Sequence, residues 1–430
     1  MFPVKLVYVA ANAIFAIGSL ICAVAPNSTT LIAGRAVAGI GVAGIMSGNV
    51  LTIATSAPLA RRASLTGMMF AFLGVASVVG PFLGGILTDR ATWRWCFGIN
   101  LPLSALIIAS TIAFVDLKQI SEFNGLSLGA KLKRFDLPGT ILLTASFFCL
   151  IFALQLGGSS SWKDKRVIAL LTVFATLLIG FTAPYFLSKR EAEPALRDYN
   201  VWLTSLYAGF ISGGMFIPIT FLPVYFQGVR GASAIRSGVM VTPLIVSFVV
   251  MSIISGVVTQ TIGYYNPAMI VGAVLSASGA GLLTTLGPHA ASSSWIGYQV
   301  LYGLGAGAGV PPPMLVIQTV LAEKDVPMGV AIVSLSQMLW SSVVVAIAQS
   351  IFESRLGDGL RSQFPDLDLD AIFEAGANEL AGSFTPEQAA KALPVYSDSI
   401  VQIFYIVVAL SCLALPCSMA IRWSSMKKKS

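Results

Sequence analysis

The stretch GMMFAFLGVASVVGPFLGGILTDRATWRWCFGINLP, from Gly67 to Pro102, decides how this chain folds. It begins as an apolar run long enough to cross a bilayer and ends in a Trp-Arg-Trp turn. Gly80 and Gly84 share one face of the predicted helix, so we expect a neighbouring helix to approach closely there. Pro81 removes a backbone donor and predicts a bend at the same crossing.

The end of the stretch has the composition of a membrane boundary. Trp93 and Trp95 are expected at headgroup depth, where an amphipathic ring is favoured. Asp89, Arg90 and Arg94 mark the aqueous side. The stretch therefore predicts a pliable, closely packed membrane helix followed by a solvated turn.

The composition extends this prediction to the whole chain. Of its 430 residues, 56% are hydrophobic and 10% are charged, which is far below the charged fraction of soluble domains. The net charge of +7 is scattered between apolar stretches, so nucleic acid is not an expected partner. The five cysteines lack CxxC spacing, and neither a disulfide framework nor a metal site is expected from Cys22, Cys96, Cys149, Cys412 and Cys417.

Apolar windows of about 20 residues predict about twelve membrane spans. Their limits are 4–25, 30–56, 64–88, 96–116, 137–157, 167–187, 201–227, 237–261, 267–287, 295–321, 327–352 and 399–421. The expected fold class is therefore an all-α polytopic membrane protein. We expect no cleaved leader, because the first apolar run starts almost at Met1 without a basic segment before it.

The distribution of Lys and Arg predicts the orientation of the spans. With both termini in the cytoplasm, about fifteen basic residues fall inside and about ten outside. The loop 353–398 carries nine of the nineteen carboxylates and suits the extracytoplasmic face. We expect a multi-pass protein in the lipid bilayer of the plasma membrane, with a vacuolar or other endomembrane location as the alternative.

The arrangement of Gly74, Gly80-Pro81 and Gly84-Gly85 before TWRWCFGINLP resembles the antiporter signature of the major facilitator superfamily. The similarity is to the fungal-type branch of drug/proton antiporters, which normally has fourteen spans. The turn after the helix contributes Asp89, Trp93, Arg94, Trp95 and Asn100 to the pattern. The resemblance implies a monomeric efflux pump whose partners are a small-molecule substrate and protons, with the proton gradient as energy source and no cofactor.

A second motif supports a transporter built from two bundles. The sequence GVVTQTIG, from Gly256 to Gly263, has the Gly-x3-acid-x2-Gly spacing of the family's first cytoplasmic hinge loop, with Gln260 at the acidic position. It resembles a degenerate second-half copy of that loop. The segment Met1 to Lys5 resembles only the tail of the first-half copy, so the resemblance places the twelve spans as fourteen minus the first two.

This register divides the chain into six parts. They are the remainder of the N-terminal bundle with about four helices at 1–116, a cytoplasmic linker at 117–136, two extra central helices at 137–187, a linker at 188–200, a six-helix C-terminal bundle at 201–423, and a basic tail at 424–430.

Arg35, in LIAGRAVAGIGVAGI, is a charge placed well inside an apolar run. Burying it costs about 2.5–3.5 kcal/mol on insertion scales, so we expect it to face a wet cavity or a partner. The resemblance implies a role in proton transfer, and an arginine that extends to the outer interface is the alternative. All carboxylates fall in loops or at span ends, so the mechanism of proton coupling stays open.

Several residues within the spans are candidates for lining a transport path. The neutral polar ones, for which hydrogen bonding between helices is the alternative role, are Asn12, Asn49, Gln299, Gln318 and Gln337. A glycine run with Gly305 and Gly309 precedes Pro311, which predicts two small-residue faces and then a broken helix. A gating or substrate-facing segment is expected there, with close packing as the alternative.

The expected function is efflux of small hydrophobic or amphiphilic organic molecules, such as a drug, toxin or secondary metabolite, by proton antiport. One alternative is a transport-incompetent remnant, or a wrongly placed start, of such a transporter. A siderophore or other organic-solute carrier of the same superfamily is another. An enzyme is not expected, because the spans lack an acidic pair and a nucleotide-binding loop.

Asn27, in Asn27-Ser28-Thr29, is a candidate glycosylation site. It lies between the first two predicted spans, in a loop expected outside. The shortness of this loop, which holds the asparagine close to the bilayer, argues against the modification.

Overall fold

The computed structural model describes residues 3–114, 137–159, 162–187, 194–364 and 386–427. These ranges form sixteen α-helices and contain no β-strand. The helices are α1 Val4–Ala23, α2 Ser28–Ser56, α3 Leu59–Arg90, α4 Trp95–Gly98, α5 Asn100–Phe114, α6 Leu137–Ser159, α7 Lys165–Leu187, α8 Pro194–Arg197, α9 Tyr199–Gly228, α10 Ala234–Met240, α11 Thr242–Ile262, α12 Asn266–Leu283, α13 Ser292–Gly309, α14 Pro312–Val320, α15 Val326–Gln363 and α16 Pro386–Ala420.

The helices coincide with the predicted membrane spans. Within the described residues, eleven helical segments are long and apolar enough to cross a membrane. They correspond to eleven of the twelve predicted spans, and the 32-residue helix α3 corresponds to the span predicted at 64–88. The expected all-α polytopic fold is confirmed.

The N-terminal helices do not form one closed bundle. Helices α1 and α2 pack closely, since a methyl group placed at Gly41 would lie 2.5 Å from the backbone nitrogen of Phe15 and one at Gly44 would lie 2.6 Å from Ala11 Cβ. Helix α5 also packs against α1. Helix α3 instead lies along α11, and it contacts α2 only weakly. A space therefore separates α3 from the rest of the N-terminal helices.

The C-terminal helices α9 and α11–α16 form a dense bundle with a continuous apolar core. Its largest fully buried side chains include Tyr207, Tyr225, Phe221, Phe248 and Phe404. Helices α6 and α7 form a hairpin that packs on α15 through α6, where Gly158 meets the backbone of Ser350. The hairpin is thus attached to the periphery of the C-terminal bundle.

The motif at 256–263 lies at the end of the span predicted at 237–261, and it is helical as far as Ile262. Gly256 lies in α11 and packs against α3, where a side chain would lie 2.8 Å from the carbonyl oxygen of Ala63. The helix ends at Gly263, which adopts the left-handed conformation with φ of 85° that favours glycine. The turn between α11 and α12 therefore consists of residues 263–265, in agreement with the short gap between the predicted spans 237–261 and 267–287.

A hydrogen-bond cluster joins this turn to two other helix ends in the C-terminal bundle. Tyr265 Oη donates to the carbonyl oxygen of Arg422 at 2.5 Å, and Asn266 Nδ2 donates to that of Ile421 at 2.9 Å. Arg422 N donates to Asn200 Oδ1 at 2.9 Å, which brings in the start of α9. Burial raises the pKa of Tyr265, so its hydroxyl remains a neutral donor at physiological pH.

The expected loop at 353–398 is largely helical at both ends, which corrects the sequence prediction. Helix α15 continues to Gln363 and α16 begins at Pro386. Leu356 and Leu360, one turn apart, are buried in the same apolar core as Tyr396, and Phe352 meets Tyr396 edge to face at 5.6 Å. This apolar contact continues the helices beyond the predicted spans. The linker 117–136, residues 188–193 and the end of the basic tail lie outside the described residues.

Candidate functional site

A cavity of about 610 Å³ lies where α3 separates from α1, α2 and α5. Its walls come from the N-terminal half of α3, the C-terminal halves of α2 and α5 and the start of α1. The lining side chains are Lys5, Tyr8, Met46, Asn49, Thr52, Ile53, Leu65, Met68, Met69, Phe70, Phe72, Leu73, Ile107, Ser110 and Thr111. The volume is in the range of pockets that hold small organic molecules.

The lining of this cavity is mainly apolar and adaptable. Met46, Met68 and Met69 supply flexible, polarisable thioethers, which fit apolar groups of different shapes. Phe72 and Tyr8 add aromatic surface. Such walls suit a hydrophobic ligand whose identity is not strictly fixed.

A few polar groups are placed around the same cavity. Lys5 Nζ donates to the carbonyl oxygen of Ile112 at 3.0 Å, close to the C-terminus of α5, where a cation is favoured. Thr52 Oγ1 donates to the carbonyl oxygen of Gly48 at 2.8 Å. The side chain of Asn49 makes no hydrogen bond to the residues that the structure describes, so its amide group is available to a ligand.

One wall of the cavity, α3, is also the contact with the C-terminal bundle. A methyl group at Gly67 would overlap the carbonyl oxygen of Ser252 on α11, and one at Gly74 would lie 2.6 Å from Val249 Cγ2. Gly67 and Gly74 are seven residues apart, about two turns, and therefore share a face. The backbones approach closely along this face because it presents no side chains, as in small-residue crossings of membrane helices.

The expected crossing at Gly80 and Gly84 is not found. No described atom lies within 4 Å of a methyl group placed at either glycine. Gly80 is rotated by about 240° from Gly74 around the helix axis, so it faces away from α11. The side-chain surroundings of Pro81 and Gly85 lie outside the described part of α3. A close helix crossing does involve α3, but it lies on the face of Gly67 and Gly74 and not on the predicted face of Gly80 and Gly84.

The charged side chain of Arg62, near the start of α3, also links this helix to the C-terminal half. Burial lowers the pKa of Arg62, and the nearby carboxylate of Glu323, in the turn between α14 and α15, opposes that shift. Arg62 Nε donates to the carbonyl oxygen of Ala57 at 3.0 Å. The guanidinium therefore stays charged between the two halves.

The predicted Trp-Arg-Trp turn ties α3 to the N-terminal helices. Helix α3 ends at Arg90, and the side chain of the predicted boundary residue Asp89 lies outside the described set. The Arg94 guanidinium lies 4.6 Å from the Trp93 ring centroid and donates to the carbonyl oxygen of Ala25 at 2.8 Å. Trp95 is exposed, as expected for a ring at headgroup depth.

The turn residue Asn100 makes a second link to the N-terminal helices. Its Nδ2 donates to Ser19 Oγ at 3.3 Å and so holds the start of α5 to α1.

Arg35 is exposed on α2 and forms no ion pair within the described residues. The neighbouring Ile32 and Ile40 are exposed as well, and a methyl group at Gly39 would meet no described atom within 4 Å. Met46, the nearest lining residue on α2, lies about 16 Å further along the axis. Arg35 is therefore outside the cavity and on an open face.

The glycine run of α13 is closely packed on two sides, so the close-packing alternative describes it. Gly305 faces α12, where a methyl group would lie 2.6 Å from Ser276 Oγ, and Gly309 lies where α12 and α9 meet, with Tyr207 Oη of α9 at 2.7 Å from an added methyl group. Gly303 and Gly307 face α11, and one at Gly307 would lie 2.5 Å from the carbonyl oxygen of Phe248. None of these glycines lines the cavity of the N-terminal helices.

The break after this run is slight. Val310 and Pro311 keep right-handed helical torsions, with φ of −71° at both. Pro312 cannot donate to the carbonyl oxygen of Ala308, and Ser255 Oγ on α11 donates to it at 3.2 Å instead. The proline segment is therefore a supported kink, and Pro311 is buried in it.

Four of the five neutral polar candidates are buried between helices. Asn12 Nδ2 donates to the carbonyl oxygen of Tyr8 at 2.9 Å, Gln299 Nε2 to that of Met240 at 3.1 Å, and Gln337 Nε2 to Ser212 Oγ at 3.2 Å. Both amide atoms of Gln318 are buried without a hydrogen-bond partner within the described residues. Asn49 is thus the one of the five that lines the cavity.

Sequence reasoning missed most of the lining residues. Tyr8, Met46, Met68, Met69 and Phe72 are apolar or aromatic side chains in apolar spans, where nothing distinguishes a cavity wall from a lipid-facing surface. The paired methionines next to the glycines of α3 were the available signal.

Asn27 is exposed and caps α2. Its Oδ1 accepts hydrogen bonds from Thr30 N and Thr30 Oγ1, both at 2.9 Å. Its side chain is therefore engaged in the helix start.

Comparisons with known proteins define the class. The pattern of the Major Facilitator Superfamily matches residues 2–345. The chain is 43% identical over 429 residues to the MFS thioclapurine efflux transporter tcpA of Claviceps purpurea, covering 99% of this chain and 79% of the relative. It is 39% identical to the efflux pump roqT of Penicillium rubens, covering 99% and 80%.

Solved structures agree in fold. The proton:xylose symporter XylE bound to 6-bromo-6-deoxy-D-glucose superposes with a TM-score of 0.59 at 14% identity, covering 99% of this chain and 81% of the symporter. The chain belongs to the Major Facilitator Superfamily. It is a multi-pass membrane protein of the efflux-transporter type and not an enzyme.

Proposed function

We propose that this transporter exports a hydrophobic or amphiphilic toxin or secondary metabolite by proton antiport, with the substrate bound in the cavity between α3 and the other N-terminal helices. The observation that carries the proposal is the cavity itself, with methionine and aromatic walls and an unengaged amide at Asn49. A pocket with an apolar lining and few polar groups selects for amphiphilic molecules. The printed names of the relatives, which include a thioclapurine efflux transporter, support this substrate class.

The proposed transport cycle uses the contact between α3 and α11. Helix α3 forms one wall of the cavity and also carries Gly67 and Gly74 at the contact with the C-terminal bundle. Rocking of the two halves would therefore move a wall of the substrate site directly. Because α3 belongs both to the cavity wall and to the contact with α11, a movement at this contact changes the cavity directly.

Filling the cavity tests the substrate site. Met68→Trp should lower export of a lipophilic dye such as rhodamine 6G at least about tenfold, since an indole occupies much of the space that the dye needs. Met338→Trp on α15 is the matched control, because both methionines are 47% exposed and Met338 does not line the cavity. Efflux is measured in cells lacking their own pumps and normalised to the protein in the membrane. Equal export by the two variants would place the substrate elsewhere.

Arg35 is the proposed proton-coupling residue, because it is a cation two turns into a membrane helix and no described carboxylate pairs with it. In vesicles under an imposed pH gradient, Arg35→Gln should reduce dye-dependent proton flux by about tenfold or more, while Arg35→Lys, which keeps the charge, retains part of it. Arg166→Gln, at an exposed ion pair with Asp164, serves as the control. Full flux in Arg35→Gln would show that another group carries the proton.

A further inference from the structure

A second cavity, of about 740 Å³, lies beside the C-terminal bundle. Residues of α15 and α16 form two of its sides, and Trp162, in the connection between α6 and α7, forms another. Trp162 is held there by contact with Gly157, where a methyl group would lie 3.0 Å from its ring. This cavity belongs to none of the transport elements described above.

The cavity contains a cation and an anion that do not pair with each other. Arg355 on α15 and Asp398 on α16 both line it, yet no nitrogen–oxygen distance between them is within 4 Å. The one ion pair among the described residues is Arg166–Asp164. The cavity therefore offers two separated, opposite charges, which complement a ligand that itself carries both.

A buried hydroxyl in the cavity lacks a partner. Ser350 is 2% exposed, and its Oγ has no hydrogen-bond partner among the described residues. Ser350 lies on the same helix as Arg355 and lines the cavity with it. Because an unsatisfied buried hydroxyl is costly, a polar ligand group at this point would be stabilised.

From the predicted limits of the spans, we expect this cavity at headgroup depth. The apolar span of α15 is predicted to end at 352 and that of α16 to begin at 399, so both boundaries fall at the cavity. Trp162 and Tyr405 line it and are 49% and 60% exposed, as expected for amphipathic rings at a membrane interface. Because Tyr405 is exposed, the cavity is open to the protein surface on this side.

We propose that this cavity binds the headgroup of a zwitterionic phospholipid, with the phosphate at Arg355 and the ammonium group at Asp398. A guanidinium donates two parallel hydrogen bonds to phosphate oxygens, and a carboxylate accepts from an ammonium group. The acyl chains extend along the apolar surface below Trp162 and Tyr405. The lipid thereby bridges α15, α16 and the α6–α7 hairpin.

Lipid titration of the purified full chain tests this proposal. Binding of phosphatidylethanolamine is followed by native mass spectrometry and by the melting temperature in detergent. Arg355→Gln and Asp398→Asn should each weaken binding at least tenfold, and the double variant should add little, because both groups hold one molecule. Arg361→Gln and Asp358→Asn, exposed on α15 and outside the cavity, should stay within twofold of the unaltered protein.

Other ligands separate the possible outcomes. Anionic phosphatidylglycerol should lose affinity in Arg355→Gln but not in Asp398→Asn, since it has no ammonium group. Soluble phosphoethanolamine should bind far more weakly than the lipid, and equal binding would overturn the proposal in favour of a water-soluble ligand. Unchanged phosphatidylethanolamine binding in both Arg355→Gln and Asp398→Asn, with unchanged elution in size exclusion, would overturn it outright.

Discussion

Replacing Gly67 with leucine is expected to reduce export at least about tenfold, whereas the same replacement at Gly80 leaves most of the export intact. At Gly67 even a methyl group would overlap the Ser252 carbonyl oxygen, and backbone cannot move aside as a side chain can. At Gly80 no described atom lies within 4 Å. Overpacking of this kind costs about 1–3 kcal/mol, and about 1.4 kcal/mol corresponds to a tenfold change.

The effect should appear in transport more than in the amount of protein. The added side chain separates α3 from α11, and in the proposed transport cycle these helices belong to the two halves that rock against each other. Both variants remain apolar in this span, so insertion should be preserved. Export of rhodamine 6G, normalised to protein in the membrane, is the measurement, and Gly67→Ala should fall between the unaltered protein and Gly67→Leu.

The reverse pattern would change the assignment of the faces of α3. If Gly80→Leu abolished export and Gly67→Leu did not, the functional face of α3 would be the open one. The contact with α11 would then be a packing contact that transport does not use.

Gly305→Val is expected to destabilise the folded protein by about 3 kcal/mol or more. A methyl group at Gly305 would overlap the backbone nitrogen of Ser276 on α12 and lie 2.6 Å from Ser276 Oγ, so valine forces α12 and α13 apart. The same helices are also in backbone contact at Gly272 and Gly309, where a methyl group at Gly272 would lie 2.6 Å from Gly309 Cα. A local shift at Gly305 therefore disturbs a long contact.

Gly297→Val, on the same helix, is the control. Its position has no described atom within 4 Å of an added methyl group, and both changes alter helix propensity equally. Thermal unfolding in detergent should show a melting temperature lowered by several degrees for Gly305→Val and nearly unchanged for Gly297→Val. Similar melting of both variants would mean that the run of glycines has more room than the backbone contacts indicate.

The membrane spans could be predicted from the sequence because span length and hydropathy are set by the bilayer. The sequence does not predict which face of a helix packs against a neighbouring helix. Gly80 and Gly84 have the same spacing as a packing face, but the neighbour of α3 lies on the side of Gly67 and Gly74. The same holds for the glycines of α13, because their spacing is compatible with a gating segment and with a closely packed helix crossing.

The cavity could not be predicted for a different reason. It arises because α3 leaves α1, α2 and α5 to lie along α11, which is a property of the whole arrangement of helices. Its walls are apolar side chains such as Met46 and Met68, indistinguishable in sequence from lipid-facing ones. Asn49 could be predicted as a candidate lining residue because a side-chain amide is uncommon within an apolar membrane span.

The hydrogen bonds that link Asn200, Tyr265 and Asn266 to Ile421 and Arg422 have a consequence for cooperativity. Each bond joins the end of one helix to a different helix, so the start of α9, the start of α12 and the end of α16 cannot fray independently. Opening the start of α9 breaks one of these bonds, opening the start of α12 breaks two, and opening the end of α16 breaks all three. These bonds therefore fasten three helix ends at one end of the C-terminal bundle. We expect the local opening motions of lowest free energy at the opposite end of the bundle.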